Sequence, residues 1–339
     1  MIKVLKKVDL SPWTTLRIPQ LAEFLTIVKT EADLEAALDW AREKQLAIFI
    51  LGGGSNLLLT KPVKGLVIKN EIKGVALAQV SEKQVLVKAY SGENWTKLVD
   101  FTVKQGLSGL ENLALIYGTV GAAPIQNIGA YGVELKDVFY ELEAINLKTG
   151  ELKVFKKADC QFAYRDSIFK NSLRDQYFIY SVTLKLSRSA KLNLKYGAIK
   201  AELEKRQINH PQAADVAKVV KMIRRRKLPN PERLPNVGSY FKNVEIGLAK
   251  YQALKKKYPE LPSYPVSERL VKIPSGWLIE QAGFKGQRFG PVGMYEKQAL
   301  VLVNYGGATA KQVMALANQV KRAVKKKFGL DIVEEVRVR

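Results

Sequence analysis

The sequence predicts an α+β protein of more than one domain, and three observations carry that prediction. At 339 residues the chain exceeds what one hydrophobic core usually organises. Its first section alternates helix-spaced and strand-like apolar runs, whereas its middle reads as successive antiparallel strands. The G-x-G-x-x-G opening of a regular dinucleotide-binding fold and the P-loop are both missing.

The first helix is marked by Thr30 and Asp33, a capping-box pattern, with Leu34, Ala37, Leu38 and Ala41 at helical spacing behind them. It feeds an apolar strand, Ala47 to Leu51, which runs straight into the loop Gly52-Gly53-Gly54-Ser55-Asn56. Strands follow at Leu66 to Asn70 and Gln84 to Tyr90. One helix then places Trp95, Leu98, Val99 and Thr102 on a shared face, with Gly106 beyond its end. A hairpin from Leu142 to Phe155 turns at Lys148-Thr149-Gly150, and Tyr177 to Leu186 alternates as another strand.

Val216, Val219, Val220 and Ile223 stripe a helix that must stop near Lys227, because Pro229 and Pro231 follow. Leu228 to Asn243 is rich in Pro, Gly and Asn and reads as a loop at a domain boundary. Thr309 caps a last helix carrying Val313, Leu316, Ala317, Val320 and Val324, and Gly329 ends it.

Composition narrows the function classes. With 47% hydrophobic and 9% aromatic residues the chain is globular and lacks the signature of disorder. The basic start has no apolar block of signal-peptide length and no later run approaches a membrane span, so a cytoplasmic protein without a membrane partner is expected. One cysteine, Cys160, and one histidine, His210, permit no internal disulfide and supply too few soft ligands for structural zinc, so no metal is expected. The formal charge of +23, from 55 Lys and Arg against 32 Asp and Glu, favours anionic partners. The basic residues are dispersed and no RNA-binding signature is present, so anionic small molecules are the expected partners and no specific nucleic acid is.

Two loops are candidates for ligand binding. Gly52 to Asn56 offers consecutive amides, a hydroxyl and a side-chain amide suited to a pyrophosphate, although such a run alone is more often a tight turn. The segment Tyr117 to Gly132 is a long stretch of glycine, alanine and amide residues able to wrap closely around a flat or extended ligand.

LGGGSNLLL and GTVGAAPIQNIGAYGVEL are followed in order by FAYRDSIFK, GSYFKN, SGWLIEQAGFKG, QALVLVN and the closing VEEVRV. Together they resemble the UDP-N-acetylenolpyruvoylglucosamine reductase (MurB) family over most of the chain. The resemblance implies a vanillyl-alcohol-oxidase-like (PCMH-type) FAD-binding fold in two units plus a substrate-binding α/β domain. It divides the chain into residues 1–71 with a returning 331–339, residues 72–228, and residues 229–330. It implies FAD lined by Gly52, Gly53, Gly54, Ser55, Asn56, Gly118, Thr119, Val120, Gly121, Ala122, Ala123, Gln126, Asn127 and Gly129. Leu192 to Ile199, with Tyr196, resembles the extra loop of the family's first type. Tyr117 and Val244 stand where the family pattern has proline.

By the same resemblance NADPH reduces FAD, which passes hydride to the methylene carbon of an enolpyruvyl ether. Charge building on the substrate carboxylate needs a cation, and the adjacent carbon needs an acid. Arg165 matches the carboxylate-binding arginine; outside the motif it would read as a partner for Asp166 or another surface acid. Ser239 matches the proton donor; outside the motif it is a loop serine. Glu335 matches the second acid, chosen over Glu334 because it directly precedes Val336-Arg337, since neighbouring strand residues face opposite ways. Tyr131, Tyr196, Arg224, Lys227, Asn243 and Gln298 match positions around the nucleotide substrate. A monomer is expected. The enzyme rival is another FAD oxidoreductase of this fold acting on an alcohol or hydroxy acid; the rival of another class is a basic nucleic-acid-binding protein.

Overall fold

The computed structural model describes residues 2–189 and 191–339. The chain divides into two compact units built from interleaved segments. The first comprises the N-terminal stretch ending at Asp9, Leu21–Gly54 and Pro62–Arg225; the second comprises Leu10–Gln20, Ser55–Lys61 and Arg226–Arg339.

The first unit contains two sheets. One runs in the order Leu5–Asp9, Leu21–Val28, Val63–Asn70, Ile48–Leu51, the first pair antiparallel and the others parallel. Helix Glu31–Glu43 makes the crossover between parallel strands, and its Thr30 and Asp33 exchange both hydrogen bonds of the capping box. Its Leu34, Ala37, Leu38 and Ala41 are buried with Val28, Leu66 and Ile68. The strand, loop and helix elements read between residues 30 and 186 are present with small boundary shifts. The two opening strands were not foreseen: Leu5–Asp9 is a lysine-bearing edge with four of its five residues exposed, which hides its periodicity.

The second sheet is antiparallel throughout, in the order Leu152–Lys156, Phe139–Asn146, Tyr177–Ser187, Gln84–Tyr90, Val75–Gln79. One of its faces packs on helix Trp95–Lys104, through Trp95, Leu98 and Val99, and on helix Ala213–Lys227, through Val216, Val220 and Ile223. That core fixes the loops at residues 107–135 that follow the first of these helices.

The second unit holds the antiparallel sheet Asn236–Ser239, Val301–Asn304, Val292–Met294, Arg288–Phe289, and a smaller sheet of Val244–Gly247, Leu270–Ile273 and Tyr264–Pro265. Helix Ala310–Phe328, capped by Thr309 and ended by Gly329, buries Val313, Leu316, Ala317, Val320 and Val324 in this core. The chain's end pairs Arg337–Val338 in parallel with Leu57–Leu58, directly after the triple-glycine loop.

The stretch 228–243 departs from its reading as a loop, because Asn236–Ser239 is a strand. Its pairing partner, Val301–Asn304, lies 62 to 68 residues away, so local composition carried no sign of it. Among the described residues no helix is long and apolar enough to cross a membrane, and no group of His, Cys, Asp and Glu is arranged to hold a metal ion.

Candidate active site

The two glycine-rich loops of the first unit lie backbone against backbone. A Cβ on Gly53 would sit 2.8 Å from the Gly118 Cα, and one on Gly52 would sit 2.5 Å from the Thr119 Oγ1, so the approach depends on missing side chains. The Gly52 carbonyl accepts from the Lys69 ammonium at 2.6 Å, and burial holds that ammonium below its ordinary pKa. A positive charge therefore sits beneath a loop suited to a diphosphate. The amides of Val120, Gly121, Ala122 and Ala123 donate to Glu93, Ser91, Thr119 and Val120, so this turn contributes shape more than amide donors. Close approach, small residues and an underlying cation fit the pyrophosphate part of a dinucleotide such as FAD.

Arg165 sits in a two-residue turn closed by mutual hydrogen bonds between Ala163 and Asp166, with a left-handed φ of 53°. Its Nη2 donates to the Gly129 carbonyl at 2.5 Å, and the Glu134 carboxylate lies 3.9 Å from Nη1. Asp166 does not pair with it; that carboxylate accepts from the Ser167 amide and the Asn171 side chain. Asn127, fully buried, ties the turn to the second loop by donating to Glu134 and to the Ala163 carbonyl at 3.0 Å each, while its Oδ1 accepts from the Lys136 amide. Ser167 adds a bond to the Ile125 carbonyl at 2.7 Å. Backbone strain at Arg165, Asn127 and Tyr131, all of positive φ, is thus held by a dense local network.

Arg224, on helix Ala213–Lys227, donates through Nε to the Leu115 carbonyl at 3.0 Å. Loss of hydration pulls its pKa down; Tyr131 and Tyr117 act upward, and the charge of Arg165 acts downward again. The two guanidiniums are tied to backbone at either end of the second loop, Arg165 at the Gly129 carbonyl and Arg224 at the Leu115 carbonyl, and like charges so held favour an anion between them. The Tyr131 phenol is pushed up by burial against the pull of Arg224, so it stays neutral. Its ring meets Tyr196 edge to face, centroids 4.9 Å apart at 87°.

Ser239 belongs to the second unit. Asn236 shapes its approach: the buried side chain donates to the Pro229 and Leu234 carbonyls and accepts from the Gly238 amide at 2.9 Å. Gly238, with a φ of 70°, then makes an irregularity in the ladder before Ser239 pairs with Val301. A bulge of this kind re-aims the following side chain. Glu335 is held through its backbone, its amide donating to the Tyr240 carbonyl at 2.8 Å and its carbonyl accepting from the Asn56 side chain at 3.3 Å. Glu334 goes elsewhere: its carboxylate takes the Lys321 ammonium at 3.0 and 3.3 Å.

Asn243 accepts from the Ser275 amide at 3.1 Å, and the Gln298 Oε1 accepts from the Leu300 amide at 3.4 Å. Lys227 is exposed at the end of its helix. The first unit carries Gly52, Gly53, Gly54, Gly118, Thr119, Val120, Gly121, Ala122, Ala123, Gln126, Asn127, Gly129, Tyr131, Arg165, Tyr196 and Arg224; the second carries Ser55, Asn56, Lys227, Ser239, Asn243, Gln298 and Glu335. Sequence reasoning missed Lys69 and Glu134. Lys69 alone left a signal, a lysine inside the apolar strand LVIKN.

Comparison with known proteins bears on this arrangement. The UDP-N-acetylenolpyruvoylglucosamine reductase of Pseudomonas aeruginosa is 46% identical over 327 residues, 96% of either chain. That of Bdellovibrio bacteriovorus is 48% identical over 328 residues, covering 96% of this chain and 97% of the relative. The chain belongs to the UDP-N-acetylenolpyruvoylglucosamine reductase family. Within it, residues 230–339 match the model of the family's C-terminal domain, and residues 22–156 match that of an FAD binding domain. The crystal structure of UDP-N-acetylenolpyruvylglucosamine reductase from Thermus caldophilus shares the fold, with a TM-score of 0.68 at 23% identity over 100% of this chain and 99% of that one. The α+β fold with FAD-binding units and a further α/β domain stands as the sequence predicted.

Proposed function

We propose that this chain reduces UDP-N-acetylenolpyruvoylglucosamine to UDP-N-acetylmuramate in peptidoglycan precursor synthesis, with NADPH as reductant and FAD as carrier, as a cytoplasmic monomer. The observation that carries the reading is the pair Arg165 and Arg224 tied to the Gly129 and Leu115 carbonyls beside the second glycine-rich loop: an enolpyruvyl nucleotide has both a carboxylate and a diphosphate to hold. An oxidase acting on an alcohol or hydroxy acid has no diphosphate to hold and so has no need of both cations.

The glycine-rich loops around Gly53 and Gly118 would hold FAD, which when bound would supply hydride transfer from NADPH to the substrate's methylene carbon. Arg165 holds the carboxylate; a guanidinium fixed by the Gly129 carbonyl keeps its plane as charge moves onto the acid. Ser239 gives its proton to the adjacent carbon, which the strongly basic carbanion makes feasible for so weak an acid. Glu335 acts as the second acid. Lys321 holds Glu334 apart, which supports that choice between the neighbours. Tyr131, Tyr196, Arg224, Lys227, Asn243 and Gln298 bind the nucleotide. Residues 1–71 with 331–339, and residues 72–228, serve the flavin; residues 229–330 serve the substrate.

The test is an anaerobic absorption spectrum of the purified protein. Flavin bands that bleach with NADPH and return when the enolpyruvyl nucleotide is added support the reading. A protein that takes up no FAD overturns it, and a flavin bleached anaerobically by an alcohol or hydroxy acid, and not restored by the nucleotide, favours the oxidase rival. Size-exclusion chromatography tests the monomer.

A further inference from the structure

Asn112 lies on a short 3₁₀ turn, Glu111–Leu113, and is fully buried. Its single amide nitrogen donates to the Tyr131 carbonyl at 3.0 Å and to the Asn193 carbonyl at 2.9 Å, joining segments 19 and 81 residues away. Asn193 completes the tie. Its Nδ2 donates to the Gly132 carbonyl at 2.9 Å, and its Oδ1 accepts from the Lys195 amide at 3.2 Å, turning the chain one residue before Tyr196. The Tyr196 ring then rests edge to face on Tyr131.

The Asn112 Oδ1 is buried with no hydrogen-bond partner. A buried acceptor left dry is unfavourable, and an apolar side chain of similar size would fill the same space without it. The two donor bonds are what the asparagine adds. Each ends on the backbone of a segment carrying a nucleotide-binding tyrosine: Tyr131 itself, and the loop that leads into Tyr196.

We propose that the Asn112–Asn193 amide pair is a positioning device that presents Tyr196, against Tyr131, to the nucleotide part of the substrate. The proposal rests on the assignment of Tyr196 to substrate binding. The asparagines bond the second glycine-rich loop only at its far end, on the Tyr131 and Gly132 carbonyls, beyond the residues assigned to FAD, so affinity for the nucleotide depends on the pair more than hydride transfer from NADPH to FAD does.

The experiment compares Asn112→Leu, Asn193→Ala, the double variant and Tyr196→Ala as FAD-loaded full-length enzymes. Steady-state rates are measured against the enolpyruvyl nucleotide, and flavin bleaching by NADPH is followed separately by stopped flow. The two asparagine variants each raise KM for the nucleotide about tenfold, the loss of roughly one to two hydrogen bonds. The double variant adds little to either, because both act on one loop. Bound FAD and the bleaching rate stay at wild-type values. If the asparagine variants lose FAD or slow both half-reactions alike, the pair is merely structural and the proposal is overturned. If Tyr196→Ala raises KM and the asparagine variants do not, the positioning role alone falls. If Tyr196→Ala leaves KM unchanged, the assignment beneath it falls as well. Asn193 is only half-buried, so its variant decides the matter even if Asn112→Leu does not fold.

Discussion

The Arg165 guanidinium donates to the Gly129 carbonyl at 2.5 Å, across 36 residues of sequence. The bond joins the turn that bears the arginine to the loop proposed to cradle the flavin, and it sets the plane of the guanidinium before any substrate arrives. Tyr164, whose ring centroid is 5.2 Å from the Arg165 Cζ, and Glu134 add weaker restraint.

Replacing this fork with a point charge separates geometry from charge. Arg165→Lys keeps the cation but loses the planar two-pronged grip, so kcat with the enolpyruvyl nucleotide falls about a hundredfold. Bleaching of the flavin by NADPH is largely retained. Unchanged turnover in this variant excludes the carboxylate clamp.

Ser239→Ala tests the proton donor. Rates of flavin reduction by NADPH stay near wild type, and reoxidation by the nucleotide slows by about 10² to 10⁴, the range for losing a general acid. Equal slowing of the two half-reactions removes Ser239 from proton transfer and leaves the irregularity at Gly238 as a structural feature only.

The neighbours Glu334 and Glu335 predict opposite outcomes. Glu335→Gln lowers substrate reduction by about 10² or more. Glu334→Gln breaks the pair with Lys321, which is partly exposed, and changes stability by less than about 1 kcal/mol with turnover intact. The reverse pattern in steady-state assays makes Glu334 the second acid in place of Glu335.

What was legible in the sequence divides along a physical line. Helix Glu31–Glu43 announced itself because its cap, its apolar face and its end are all local, and helix Ala310–Phe328 did so for the same reasons. The strand Asn236–Ser239 did not, since it exists through pairing with Val301–Asn304. The candidate site follows the same rule. Arg165, Ser239 and Glu335 could be named from short ordered motifs, whereas Glu134 meets the side chains of Asn127 and Arg165 and Asn112 bonds distant backbone, contacts that no local spacing encodes. The Glu334 and Glu335 ambiguity was visible in the sequence but needed Lys321, on another element, to give it a physical basis.

Cys160 is a sharper test of burial than of function. It is fully buried, and desolvation, with a smaller push from Asp159, raises its thiol to about 12. A raised folded-state value means the protonated form is favoured, so its contribution to stability is complete below the thiol's ordinary value of 9.0 and is lost as pH climbs through about 12. At pH 8 the native protein resists alkylation by iodoacetamide and takes up one label only in denaturant. Rapid native labelling means that the core around Phe155 and Phe169 opens readily.

The glycine-rich loops make the last prediction, and a pair of substitutions decides it. At Gly53 an added Cβ meets only backbone, the Gly118 Cα at 2.8 Å, the Gly118 carbonyl carbon at 3.2 Å and the Thr119 nitrogen at 3.4 Å. No side chain can rotate away, so the two loops must separate. At Gly52 the nearest atom is the Thr119 Oγ1 at 2.5 Å, a hydroxyl on a rotatable side chain. Gly53→Ala therefore costs about 1–3 kcal/mol of stability and strips FAD from the purified protein, while Gly52→Ala is the milder change on both counts. Thermal melting and the flavin-to-protein absorbance ratio measure the two effects. Full FAD retention by Gly53→Ala means that the close approach of these loops does not shape the cofactor's seat, whatever binds there.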